Sequence, residues 1–183
     1  LLKIGDKDVF IWSPQGKDRE THQFQNNYHA TYAVGKLTDL AFEAEYISEL
    51  DQGFDFYAPQ TFLSKDNERL LLGWLRMRKP VQGEEWIGMF IMPRILHEKD
   101  GKIIQELYPK IKNSFNHEVQ GISFDQPFQL KTTLNKDSSL NLGGFKIDIQ
   151  DDCLYLNREE VSIQENKVCN DVVSPKLQGH YDI

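Results

Sequence analysis

Carboxylates and aromatic rings crowd into one stretch of this 183-residue chain, Asp51-Gln52-Gly53-Phe54-Asp55-Phe56-Tyr57-Ala58-Pro59-Gln60-Thr61-Phe62. That mixture suits sugar recognition, in which ring faces meet the apolar side of a sugar and carboxylates or amides fix its hydroxyl pattern. Trp74, which closes the apolar run Arg69-Leu70-Leu71-Leu72-Gly73-Trp74, offers a broad face of the same kind. Read from the residues alone, it serves equally as a core tryptophan, since large aromatics dominate buried area. Asp55 can accept from a hydroxyl, cap a turn or pair with an arginine. Asp51 and Asp55 lie four residues apart on extended chain, too far to act as a carboxylate dyad across one bond.

Other reactive residue types do not assemble into motifs. His22, His29, His97, His117 and His180 lack the H-x-x-x-H or H-E-x-x-H spacing of a metal site. Gly143-Gly144 has no strand-to-helix context for a phosphate loop and reads as a turn or bulge. Ser13-Pro14-Gln15-Gly16 is not a nucleophile elbow, because G-x-S-x-G is absent. Cys153 and Cys169 make neither a disulfide framework nor a zinc site, and read as free thiols of a reducing compartment.

Charge narrows the partners. The 21 Lys+Arg against 28 Asp+Glu give a net charge of −7 spread along the chain, which argues against nucleic acid, where clustered cations neutralise phosphates. It also argues against a basic membrane-surface segment. Apolar runs fall far short of the ~20 residues of a spanning helix, so neither nucleic acid nor membrane is an expected partner.

The elements that must position the aromatic stretch read as strands. Residues 8–13 form a β-branched and aromatic run that stops at Pro14-Gln15-Gly16. Residues 28–35 alternate at Tyr28, Ala30, Tyr32 and Val34. Residues 54–63 are extended, with Pro59 marking an edge or bulge. Residues 69–76 and 86–93 read as further buried strands, while 38–50 reads as a long loop with at most a turn or two of helix. Asp100-Gly101 is a hairpin turn. Beyond a boundary near residues 107–113, short strands at 128–134, 144–149 and 153–157 fit an antiparallel sandwich with one solvated face. The start at Leu1-Leu2-Lys3 and the end at Gly179-His180-Tyr181-Asp182-Ile183 read as cuts through structure.

Three motifs in order carry a resemblance: the 51–62 stretch, the Gly73-Trp74 strand, and Trp86-Ile87-Gly88 through Pro93-Arg94. Together they resemble glycoside hydrolase family 32, the sucrose-6-phosphate hydrolases and β-fructofuranosidases. The strand ending Ser13-Pro14-Gln15-Gly16 and the pattern Asn27-Tyr28, Tyr32, Gly35 are similar to that family as well. The resemblance covers residues 1 to about 110 and weakens beyond.

It implies an all-β chain: the last blades of a five-bladed β-propeller over residues 1–108, then an incomplete β-sandwich over 109–183. It implies cleavage of the fructosyl bond of sucrose or sucrose 6-phosphate, without metal or nucleotide cofactor, in the cytoplasm. The family's retaining chemistry needs a nucleophilic aspartate in N-D-P-N-G, an R-D-P aspartate and an acid glutamate in E-C-P, none of which occurs here. No residue is therefore assigned as catalytic, and this chain alone is expected to be inactive. Asp55, Tyr57 and Trp74, with Gln15 in a lesser role, are expected to line the fructosyl pocket of the complete enzyme. A propeller lacking blades would leave edges uncovered and self-associate. The rival readings are a non-catalytic sugar-binding remnant and a structural module that buttresses a partner.

Overall fold

The computed structural model describes the chain except for residues 27, 78, 79, 81, 82, 84, 124, 162–169 and 178–183. Asn27, Glu84, Cys169 and His180 thus lie outside the described residues, as does the end of the chain beyond residue 177.

Three antiparallel sheets follow one another along the chain. The first is a meander of β1 (Leu2–Ile4), β2 (Lys7–Trp12), β3 (Thr31–Leu37) and β4 (Phe42–Glu49). The second joins β5 (Phe56–Leu63), β6 (Arg69–Leu75), β8 (Arg94–Lys99) and β9 (Lys102–Leu107), with β7 (Met89–Phe90) also on β6. One helical turn, α1 (Pro109–Lys112), precedes the third sheet of β10 (Ser139–Leu142), β11 (Phe145–Gln150), β12 (Cys153–Asn157) and β13 (Asp171–Val173). Tight two-residue turns set the registers. Asp100-Gly101 joins β8 to β9, Gly143-Gly144 joins β10 to β11, and Asp151-Asp152 joins β11 to β12. All six of these turn residues have positive φ, as the primed hairpin turns demand.

The core lies between the first two sheets. Ile4, Val9, Ala30, Tyr32, Val34 and Leu50 from the first pack against Phe56, Leu71, Ile91, Leu96 and Ile103 from the second. β3 is buried along Thr31–Gly35 on both of its faces, so the alternation at Tyr28, Ala30, Tyr32 and Val34 understates how far it is enclosed. Gly73 admits the edge of the Phe56 ring, which a Cβ there would meet at 2.2 Å.

Four expectations are corrected. Residues 38–50 carry β4 rather than a loop with helix. The register shift opposite Val34/Gly35 makes Glu45 the extra residue of a bulge, and this breaks the period-2 pattern that would have announced a strand. Residues 86–93 are no continuous buried strand: only Met89–Phe90 pair, and Phe90 is 73% exposed. The lane continues through Ile91, whose N–H donates to the Gly73 carbonyl at 3.0 Å, and then past Pro93, which has no N–H to give. Residues 128–134 form no strand beyond an isolated bridge at Thr133. Between the strands expected at 128–134 and 144–149, Ser139–Leu142 form a further strand, β10, that the sequence reading did not include. Pro59 does sit in a bulge, where the β5 register shifts between Tyr57 and Gln60 and Ala58 has φ 49°.

Candidate functional site

The register of β5 on β6 brings the aromatic stretch and the apolar run together. Tyr57 pairs with Trp74 and Phe56 with Leu75 across the ladder, so Tyr57 and Trp74 are cross-strand neighbours. Both are half-buried. Trp74 leans on Gly88, whose missing side chain leaves the space: a Cβ there would stand 2.1 Å from the indole Nε1.

From the first sheet's side, Gln15 and Tyr28 reach the same wall. The Gln15 amide nitrogen donates to the Tyr57 hydroxyl at 3.5 Å. The Tyr28 ring meets Tyr57 edge-on, with centroids 5.5 Å apart. Arg76 lies over the Tyr28 ring at 3.9 Å and 6.0 Å from the Trp74 ring. Its backbone N–H donates to the Asp55 carbonyl at 2.9 Å, which anchors its position beside the wall.

Asp55 faces elsewhere. Its carboxylate receives both terminal nitrogens of Arg158, Nη1 to Oδ2 and Nη2 to Oδ1. Arg158 also stacks at 4.4 Å over Phe54, which meets Phe145 of β11 edge-on. Asp51 is likewise engaged: Oδ2 accepts from Arg94 Nη1 at 2.5 Å and Oδ1 from the Gly53 N–H at 2.8 Å. The two carboxylates therefore answer two different arginines. Gln15, Tyr57 and Trp74 form one surface, and Asp55 supports it from the side.

Sequence reasoning missed Tyr28, Arg76 and Arg158 as parts of this assembly. It also missed a buried polar cluster beside Tyr28 in the chain, where Asn26, His29, Thr31, Ser48 and Glu49 are all enclosed. Thr31 pairs with Glu49 and Tyr32 with Ser48 across β3 and β4. Neither ring nitrogen of His29 and not Glu49 Oε1 has a hydrogen-bond partner among the described residues. Burial pushes the Glu49 carboxyl up to about 7, helped by the charges of Asp51 and Glu20 and opposed by the Phe24 N–H. Burial holds the His29 imidazolium below its ordinary range.

Loop residues 19–25 fasten to β13 of the third sheet. Arg19 bridges Asp171 at 3.0 Å, His22 Nδ1 bonds the Ser174 carbonyl at 3.0 Å, and Gln25 pairs with both backbone groups of Val173.

Comparison with known proteins places this geometry. Residues 1–107 match the model of the glycosyl hydrolases family 32 N-terminal domain. The chain belongs to glycoside hydrolase family 32. A sucrose-6-phosphate hydrolase of Klebsiella pneumoniae is 31% identical over 180 residues, covering 90% of this chain and 38% of that one. Its counterpart from Vibrio alginolyticus is 34% identical over 141 residues, covering 73% and 28%. Among solved structures, a sucrose-6-phosphate hydrolase from Lactobacillus gasseri superposes with TM-score 0.68 at 21% identity, over 98% of this chain and 42% of that one. A Bombyx mori β-fructofuranosidase gives 0.65 at 23%, over 93% and 40%. The first two sheets are thus blades of the five-bladed β-propeller of this family, and the chain spans well under half the length of the curated relatives it matches.

Proposed function

We propose that this chain is part of a sucrose-6-phosphate hydrolase or β-fructofuranosidase that cleaves the fructosyl bond of sucrose or its 6-phosphate with retention. The observation that carries the reading is the wall of Gln15, Tyr57 and Trp74, assembled on family 32 blades by the Tyr57–Trp74 pairing. Retaining cleavage needs two carboxylates ~5–5.5 Å apart, one attacking and one protonating. Asp51 and Asp55 are each held by an arginine, which supports placing the nucleophile and acid upstream and this chain's part in binding. Asp55 then contributes by holding its neighbours in place.

In the same reading residues 1–108 are propeller blades and 109–183 part of a sandwich that packs on them. The buried free thiol of Cys153 suits a reducing cytoplasm. Exposed edges favour self-association of the isolated chain.

The test is hydrolysis of sucrose and sucrose 6-phosphate by this chain, beside the same gene read about 170–300 residues further upstream, a span set by ordinary domain sizes. Fructose release by the longer protein alone supports the reading. Turnover by the 183-residue chain would overturn the inactivity reading and make Asp51, Asp55, Glu84 and Glu85 the carboxylates to replace. Silence from both proteins would overturn the activity itself.

A further inference from the structure

We infer that Arg76 is the residue that selects a phosphorylated glycoside, receiving the phosphate ester of a substrate whose sugar lies on the Tyr57–Trp74 wall. The inference rests on the fructoside reading above and names which of the two substrates the site is built for.

Three observations carry it. First, Arg76 is held by ring faces. It lies 3.9 Å over Tyr28 and 6.0 Å from Trp74. Stacking uses the face of a guanidinium and leaves its in-plane N–H donors for another acceptor. Second, three other arginines among the described residues are committed to carboxylates. Arg158 grips Asp55, Arg94 bridges Asp51 and Gln105, and Arg19 bridges Asp171. Arg76 makes no ion pair with any of the described residues. Third, the chain carries a net charge of −7, so an anionic substrate approaches against the general field unless a local cation offsets it. A planar guanidinium fork beside sugar-stacking rings matches a sugar phosphate in both halves, since the fork binds phosphate oxygens in pairs. A neutral disaccharide offers the fork only uncharged hydroxyl acceptors, which make weaker bonds than paired phosphate oxygens.

The experiment measures kcat and KM for sucrose and for sucrose 6-phosphate in whichever of the two proteins above hydrolyses. Wild type, Arg76→Gln and Arg76→Lys are compared, with inorganic phosphate as a competitor. Arg76→Gln is expected to raise KM for sucrose 6-phosphate about tenfold to a hundredfold, the range of one charge-assisted hydrogen bond. Any rise in KM for sucrose should be about tenfold smaller than that for sucrose 6-phosphate, and a far-ultraviolet circular dichroism spectrum matching that of wild type shows that the variant folds. Arg76→Lys should fall between, because it keeps the charge and loses the fork. Equal losses for both substrates, or none for either, would overturn the role of Arg76 while leaving the fructosidase reading intact. Inorganic phosphate binding as tightly as sucrose 6-phosphate would reduce Arg76 to a general anion site and overturn the inference. Hydrolysis of neither substrate by either protein would overturn the fructosidase reading and this inference with it.

Discussion

Arg158, which follows β12, closes both terminal nitrogens on the carboxylate of Asp55, which precedes β5 by one residue and lies 103 positions earlier in the chain. The Arg158 side chain is 6% exposed and that of Asp55 19%, and Asp55 takes φ 62° to meet it. The pair ties the third sheet to the strand that carries Tyr57. Removing one partner from a buried pair strands the other charge, at about 3–5 kcal/mol when burial is complete. With Asp55 partly open, Arg158→Ala should cost about 2–3 kcal/mol. Urea unfolding of Arg158→Ala, Asp55→Asn and the double variant measures the coupling between them. A loss below about 0.5 kcal/mol, the level of a surface pair, would show that solvent already screens the contact.

Gly88 gives a second handle on the wall. An alanine there adds a Cβ 2.1 Å from the Trp74 indole at a residue with φ 72°, whereas Gly83 shares the positive φ of 91° with nothing near its Cβ. Both alanines incur backbone strain, but only Gly88→Ala should displace the indole, with an overpacking cost of about 1–3 kcal/mol. Tryptophan emission and fructoside affinity should change in Gly88→Ala and stay constant in Gly83→Ala. Unchanged emission in both would mean the indole is not seated on Gly88.

Glu49 sets a pH dependence whose sign is fixed. Its folded pKa of about 7 stands above the ordinary glutamate value of 4.5, so the folded state holds the proton more tightly than the unfolded one. The associated stability is complete below about pH 4.5 and is lost as pH rises through 7. At about 1.4 kcal/mol per pH unit, the loss approaches about 3 kcal/mol. Glu49→Gln should leave stability nearly unchanged at pH 5 and raise it at pH 8. Equal urea midpoints for wild type and variant at pH 8 would show that Glu49 is solvated.

His29 works in the opposite direction. Its folded pKa is lowered, so its contribution is present above the unfolded value near 6.5 and is lost as pH falls below it. His29→Phe should therefore flatten the acid side of the stability profile. Thermal unfolding between pH 5 and 7 that runs parallel in the two proteins would count against this.

The strip from Trp86 to Met92 is the expected point of self-association. Trp86, Ile87, Met89, Phe90 and Met92 are all exposed, Phe90 most of all at 73%. Sedimentation velocity should show concentration-dependent association, weakened by Phe90→Lys in the manner of charged edge residues. A compact monomer at high concentration would rule it out.

Legibility followed sequence distance. The β8–β9 hairpin, the aromatic β5 and the apolar β6 were readable because short-range turn chemistry and period-2 pattern coincide there. Tyr57 and Trp74 could be chosen from their motifs, but their pairing depends on the bulge at Ala58-Pro59 that sets the register. β4 was hidden by its own bulge at Glu45, where helix-forming residues face a partner strand that overrides propensity. Asp55 offered several roles in sequence, and the arginine that engages it stands 103 residues away. No local pattern announces such a partner. The enclosure of Glu49 and His29 was equally invisible, because nothing in the neighbouring residues marks those positions as inward.

The clasp of loop residues 19–25 on β13 bears on the order of events during synthesis. Its contacts join residues 148 to 152 positions apart, so the loop waits for nearly all of the intervening chain to leave the ribosome. At ordinary elongation speeds that delay is on the order of ten seconds, long beside the microseconds in which the hairpins of the first sheet close. The first sheet can form early with its loop unfastened. The section of chain that carries β13 then acts as a latch, and a translation product interrupted before it would keep the first two sheets while losing this fastening.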